Sequence, residues 1–292
     1  MGRMPRNTLR ASALLYWVLL GTRTSVAAQP PTALKPSALA LDTLLRSPGP
    51  PWITGRSAHF VVHVEGSRHA IAPRAILDSL EDAWVNAVGM LGESPASGPA
   101  IEVLVTASRT RFPRLLSPQA KGLTTQMPNG GEVIILVAND TVRAYARHEV
   151  MHAVSQRTWR PASLGMVWLV EGFATLADGK CQGTTTIAVA RDLLHDRPTL
   201  SADDVTTHFV QMWETDRGSA YVLASSFVAF ILDTRGRDGV RRLWQGTDSL
   251  RQSPLVRGQP LDLTASWRAF VDRRAGQASG IDVASFRRFA CG

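Results

Sequence analysis

The run His148-Glu149-Val150-Met151-His152 sets two imidazoles four positions apart with a carboxylate between them. On a helix, residues i and i+4 lie one turn apart on the same face, so both rings can grip a single metal ion. Glu149 is turned from His148 by about 100° on such a helix. It can therefore reach a water on the metal without being a ligand. Catalytic zinc keeps three protein ligands and one open position for water, so a third donor is needed, and Glu171 is the candidate. It follows the apolar run Trp168-Leu169-Val170, with 18 residues between it and His152. An isolated carboxylate at the end of an apolar run is costly to bury unless something positive pairs with it, and a zinc ion meets that need. Glu171 as a helix cap or as the partner of an arginine is the other reading, and the sequence leaves it open.

With its flanks the pattern resembles a known family. His-Glu-x-x-His followed after 18 residues by Glu, within Trp168-Leu169-Val170-Glu171-Gly172-Phe173-Ala174, is similar to the gluzincin zinc metallopeptidases. The segment around Glu171 resembles that of the aminopeptidase N-like enzymes. The short chain and the stretch Tyr221-x3-Ser225-Ser226-Phe227-x2-Phe230 resemble the small bacterial peptidase MA-like domains. The resemblance runs from Ser57 to Gly246. It implies an α+β, thermolysin-like pair of lobes, a Zn2+ cofactor and hydrolysis of peptide bonds in a peptide or protein substrate. It assigns His148, His152 and Glu171 as ligands and Glu149 as the general base. It also implies a Tyr or His donor from the helical lobe that shares the negative charge developing on the substrate; Tyr221 is the first choice and His208 the second.

Two departures bear on activity. Aminopeptidase N-like enzymes carry a Gly-x-Met-Glu-Asn segment whose Glu holds the free amine of the substrate. Here the corresponding region reads Gln126-Met127-Pro128-Asn129-Gly130-Gly131, without that Glu, so an endopeptidase is expected rather than an aminopeptidase. Val170 stands where those enzymes commonly have Asn.

Ligating imidazoles need an acceptor for their second nitrogen, and Thr175 and Asp178 are the candidates. His59, His63, His69 and His195 read as surface or strand-face residues, because the three-ligand set is already complete. A zinc-binding but non-hydrolytic envelope module is the alternative function, and an interaction protein with an accidental His pair is a third. A site used only for binding has no need of a base, which weighs Glu149 against the former.

These residues must be positioned by particular elements. The alternating, β-branched run Ala58–Val64 predicts a strand. Ile76, Leu80, Trp84, Val88 and Leu91 recur at steps of three and four, which predicts a helix over residues 71–91 ended near Gly92. Strands are expected over 101–106 and 132–138, the latter as the edge strand with which a substrate backbone could pair. The helix carrying His148 and His152 is expected to begin near Asn139-Asp140-Thr141, which are good N-cap residues, and to run to about Arg160. Beyond it no strand is expected, and helices are read at 168–178, 185–194, 217–232, 239–245, 264–273 and 283–289. A β-rich first part followed by a helical second part predicts an α+β protein with two lobes facing across a cleft.

The chain ends and the bulk composition set the outer limits. Arg3, Arg6 and Arg10 precede the apolar run Ala11–Gly21, and Val26-Ala27-Ala28 offers small residues for cleavage, so residues 1–28 read as a signal peptide. The run is short of the about 20 apolar residues that span a bilayer, and an uncleaved anchor is the minority reading and the one expected route to a membrane. A Pro-rich linker is expected over 29–56 and one metallopeptidase domain over 57–292. The formal charge of +8 includes the four arginines of the leader; without them 28 basic residues face 24 acidic ones, or +4. That mild excess, spread along the chain, excludes a nucleic-acid groove. A secreted, periplasmic or envelope location follows, and in such a compartment the two cysteines, Cys181 and Cys291, are expected to form a bridge, with two buried free thiols as the other reading.

Overall fold

Three runs rich in β-branched and aliphatic residues form the parallel centre of a five-stranded sheet. The structure, a computed structural model, describes residues 41–66, 71–116, 120–127, 131–139, 146–181, 183–250, 262–276 and 279. In chain order, a short helix α1 (Leu41–Leu45) precedes strands β1 (Trp52–Arg56) and β2 (Phe60–Glu65), helix α2 (Pro73–Leu91) and strand β3 (Ile101–Thr106). Strands β4 (Gly122–Gln126) and β5 (Glu132–Val137) follow. The spatial order is β1-β2-β3-β5-β4. Strands β2, β3 and β5 are parallel, and β1 and β4 close the two edges as antiparallel neighbours. A parallel pair needs a crossover, and α2 provides it between β2 and β3.

Both faces of the sheet are covered, which explains why β5 is apolar throughout: Val133, Ile134, Ile135, Leu136 and Val137 are fully buried. One face, with Phe60, Val62, Val64, Val103, Val105, Ile134 and Leu136, joins the main core. The other, with Leu104, Val133, Ile135 and Val137, packs on Leu44, Phe112 and Leu116.

The second part of the chain is helical. Helices α3 (Ala146–Trp159) and α4 (Val167–Asp178) are followed by the two-residue strands β6 (Lys180–Cys181) and β7 (Thr184–Thr185). Then come α5 (Thr186–Asp196), α6 (Ala202–Thr207), α7 (Phe209–Thr215), α8 (Arg217–Trp244) and α9 (Leu263–Ala275). A single hydrophobic cluster runs from the sheet through α2 and α3 into these helices. The protein is therefore α+β, with β-structure first and helices after. Where α3 ends, Trp159 stacks on Phe173 of α4 at 5.4 Å and meets Trp244 of α8 edge-on at 5.7 Å. Arg160 then turns left-handed, with φ 67°, and Pro161 prevents any continuation.

Several boundaries differ from expectation for identifiable reasons. Trp52–Arg56, counted with the linker because prolines surround it, is an edge strand paired residue by residue with β2. Its Trp52 is covered by Phe112 at 6.4 Å and by the Arg111 guanidinium at 3.8 Å, so burial of one large ring outweighs the local composition. Strand β5 is not an edge; it lies between β3 and β4, and β4 is the edge strand. Helix α2 starts at Pro73, whose fixed φ suits a first helical turn, and Gly92 ends it at φ 78°. By contrast, the two helices read at 217–232 and 239–245 are both present as the two segments of α8, which meet at a kink where Gly236 is non-helical (φ 66°, ψ −176°). The leader, the first part of the linker, the cap expected near residues 140–141, the helix at 283–289, His69 and Cys291 lie outside the described residues.

Candidate metal centre

Helix α3 lies between the sheet and α4 and is buried on nearly every side. Its residues His148 and His152 point their Nε2 atoms to within 3.1 Å of each other. From α4, Glu171 brings Oε2 to 3.4 Å from each of these nitrogens. All three side chains are buried, at 3%, 4% and 3% exposure. A tetrahedral ion with bonds of about 2.0–2.2 Å separates its donors by roughly 3.4 Å, matched by the two separations to Glu171 and approached by the 3.1 Å between the imidazoles. Two imidazoles and a carboxylate converging on one point in a buried place can hold a metal ion.

The close packing of α4 against α8 has a local cause in Gly172, the residue after Glu171. A Cβ there would stand 2.8 Å from the backbone carbonyl of Ala224 and 2.9 Å from Val228. The missing side chain lets α8 approach, and α8 carries Tyr221 to the same place. The Tyr221 ring is buried with its centroid 5.8 Å from that of His148, at 66°.

The Glu149 carboxylate meets the edge strand β4. Thr124 of β4 donates its hydroxyl to Glu149 Oε2 at 2.8 Å, and that hydroxyl also lies 2.9 Å from the Glu149 carbonyl oxygen. Gly122, two residues earlier on the same face of β4, makes room for the carboxylate. A Cβ there would fall 2.5 Å from Glu149 Oε1 and 2.7 Å from its Cγ.

The electrostatics follow from burial and proximity. Burial opposes a charge on Glu171, but the two imidazoles outweigh it and hold the carboxyl well below the ordinary range. Burial likewise opposes a charge on His148, yet Glu171, assisted by Glu149 and Asp178, lifts its pKa above the usual value. For Asp178 burial dominates and raises the pKa despite His148, Arg147 and Lys121. Burial and the negative charge of Glu171 push the Tyr221 phenol far up, against smaller effects of the Trp213 indole and the Arg217 guanidinium. Tyr221 therefore keeps its proton.

Of the residues singled out from the sequence, the structure brings together His148, Glu149, His152, Glu171 and Tyr221. His208 is elsewhere, half exposed between α6 and α7 with Nδ1 3.6 Å from Asp204. The expected second supports are not in place as hydrogen bonds: the Nδ1 atoms of His148 and His152 and the Thr175 hydroxyl are buried without a partner among the described residues. Asp178 acts on His148 through its charge alone. His59 and His63 pair with Glu81 at 2.6 Å and Glu102 at 2.8 Å, and His195 with Asp272 at 3.2 Å. Gly122 and Thr124 escaped notice because β4 did. The turn-forming Pro128-Asn129-Gly130 between two short β-capable runs is the hairpin signal that marks it.

No family model and no curated protein matches this chain. Among solved structures it is similar to an aminopeptidase N family protein from Idiomarina loihiensis, at 12% identity and a TM-score of 0.27, over 82% of this chain and 47% of that one. The chain thus spans about half the length of that protein. At that identity and TM-score the likeness is weak, and the functional reading below stands on this chain's own side chains.

Proposed function

We propose that this chain is a zinc-dependent peptidase of the gluzincin type, exported from the cytoplasm and acting within peptide chains. One observation carries the reading: His148, His152 and Glu171 converge on a common point while Glu149, in the same helix, is held apart from them by Thr124. A zinc ion held by the three donors supplies Lewis-acid polarisation of a carbonyl and acidifies water.

Glu149 accepts a proton from water and returns it to the leaving amine, the part of a general base carried on the same helix as two of the three donors. Tyr221, neutral and buried, donates a hydrogen bond to the carbonyl oxygen as negative charge develops there. Among the described residues β4 is the edge strand, the place where an extended peptide adds to a sheet. Its described residues carry no carboxylate that could hold a substrate amine, which favours cleavage within chains. The disulfide at Cys181 suits an oxidising compartment and supports export, with residues 1–28 as the leader, the residues up to β1 as a tether and the remainder as one catalytic domain. The non-hydrolytic alternative leaves the placement of Glu149 without a purpose.

The test is Glu149→Gln in the purified mature chain. Elemental analysis should find one zinc per chain in both parent and variant, and hydrolysis of an unfolded protein substrate should fall by about 10²–10⁴-fold. Equal rates, or a parent that takes up no zinc, would remove the proposal.

A further inference from the structure

Arg217 is in an unusual position for a cation. It opens α8, where the helix dipole disfavours positive charge, and it has no carboxylate partner among the described residues. The adjacent Asp216 is directed elsewhere: it accepts from Arg197 at 2.6 Å and from the Ser219 backbone at 3.2 Å. The guanidinium instead sits over the ring of Trp213 of α7, its central carbon 4.0 Å from the ring centroid. A guanidinium held over an aromatic face by its π surface still has its in-plane N–H donors to offer, in the fork that matches a carboxylate. Both side chains are partly exposed, so the fork is open to a ligand.

Its location relates it to the centre described above. Arg217 is four residues before Tyr221, one turn away on the same face of α8. Helical side chains lean toward the N-terminus, so the Tyr221 phenol projects over the Arg217 turn. The influence of the Arg217 charge on that phenol agrees with this placement, and the Tyr221 ring in turn abuts His148.

We propose that Arg217, held on Trp213, is a carboxylate subsite that makes the enzyme prefer peptides with a negative group beside the cleaved bond. The proposal rests on the peptidase reading and deepens it by naming the substrate class. The group is either an Asp or Glu side chain or the terminal carboxylate of the peptide, since one fork fits both.

The experiment compares peptide pairs differing only in Asp or Glu against Asn or Gln next to the cleaved bond, and in a free against an amidated C-terminus. The parent should favour the charged member of one pair by about tenfold or more in kcat/KM, the scale of a charge-assisted hydrogen bond. In Arg217→Gln the ratio should collapse toward unity, in Arg217→Lys part of it should survive, and in Arg217→Glu it should reverse in favour of Lys-containing peptides. The pair that responds identifies the source of the carboxylate. Calorimetric binding of the same peptides to zinc-loaded Glu149→Gln, with and without Arg217→Gln, should show the same ratios without turnover. A parent that cleaves both members of each pair equally, or ratios that persist in Arg217→Gln, would overturn the assignment while leaving the peptidase intact. Failure of the zinc-loaded parent to cleave any peptide would instead remove both.

Discussion

Glu149 and the two residues of β4 that meet it separate what a base must do from what a fold requires. The three atoms nearest to a Cβ at Gly122 all belong to the Glu149 side chain, which can swing, so an added methyl displaces the carboxylate at little cost to the fold. Gly122→Ala should leave zinc content and Tm close to the parent and lower kcat by roughly 10²-fold, the usual effect of misplacing a reacting group by about 1 Å. Parallel measurement of metal content, melting and turnover checks this; an unchanged kcat would mean that Glu149 works from another position. His148, Glu149, His152 and Glu171 were legible from types and spacing alone, because ligand spacing on a helix follows from its pitch. Gly122 and Thr124 were not, since a glycine and a threonine carry no chemistry until a strand is laid beside α3. Nor did the sequence reveal that the His148 and His152 Nδ1 atoms would lack partners among the described residues, a matter of side-chain direction rather than composition.

Among the elements, α4 and α8 decide how closely ligand and phenol approach. A Cβ added at Gly172 would meet the Ala224 backbone at 2.8 Å, and backbone yields less readily than a side chain. Gly172→Ala gains up to about 1 kcal/mol of helix propensity but forces the two helices apart, and overpacking of this kind costs about 1–3 kcal/mol. A net fall in Tm of a few degrees is expected, together with weaker zinc retention and slower turnover, because Glu171 and Tyr221 move relative to His148. Melting curves and metal titration of the variant test it; a Tm above the parent's would show that α8 accommodates the methyl. Strands β3 and β5 were legible as largely apolar runs, as buried parallel strands are, and β2 by its alternating, β-branched pattern. Strand β4, with Leu123 its one aliphatic residue, and the six- and seven-residue helices α6 and α7 were not, since they are too short to display a period. The break read at 233–238 corresponds to the positive φ of Gly236, a case in which local sequence and fold agree.

At the scale of the whole molecule, the buried histidine and carboxylate pair makes stability depend on pH in opposite senses with and without metal. In the metal-free protein the His148 pKa stands above its ordinary 6.5 and that of Glu171 below its ordinary 4.5. A group raised by folding adds stability that is complete below its unfolded pKa and is lost as pH rises through the folded value. A lowered carboxylate adds stability that is complete above its unfolded pKa and is lost as pH falls through the folded value. The pair thus supports the metal-free protein fully between about pH 4.5 and 6.5 and less at pH 8. Metal binding requires unprotonated imidazoles, so the contribution of zinc grows as pH rises over the same interval. Other titrating groups are common to both forms and cancel in the difference. The gap in Tm between zinc-loaded and chelator-treated protein should therefore widen from pH 5.5 to pH 8, approaching about 4 kcal/mol of added stability when free zinc is 1,000 times its Kd. Calorimetric melts at pH 5.5, 6.5 and 8 measure that gap directly. A gap that is constant, or that narrows toward pH 8, would show that the ion is not held by His148 and His152.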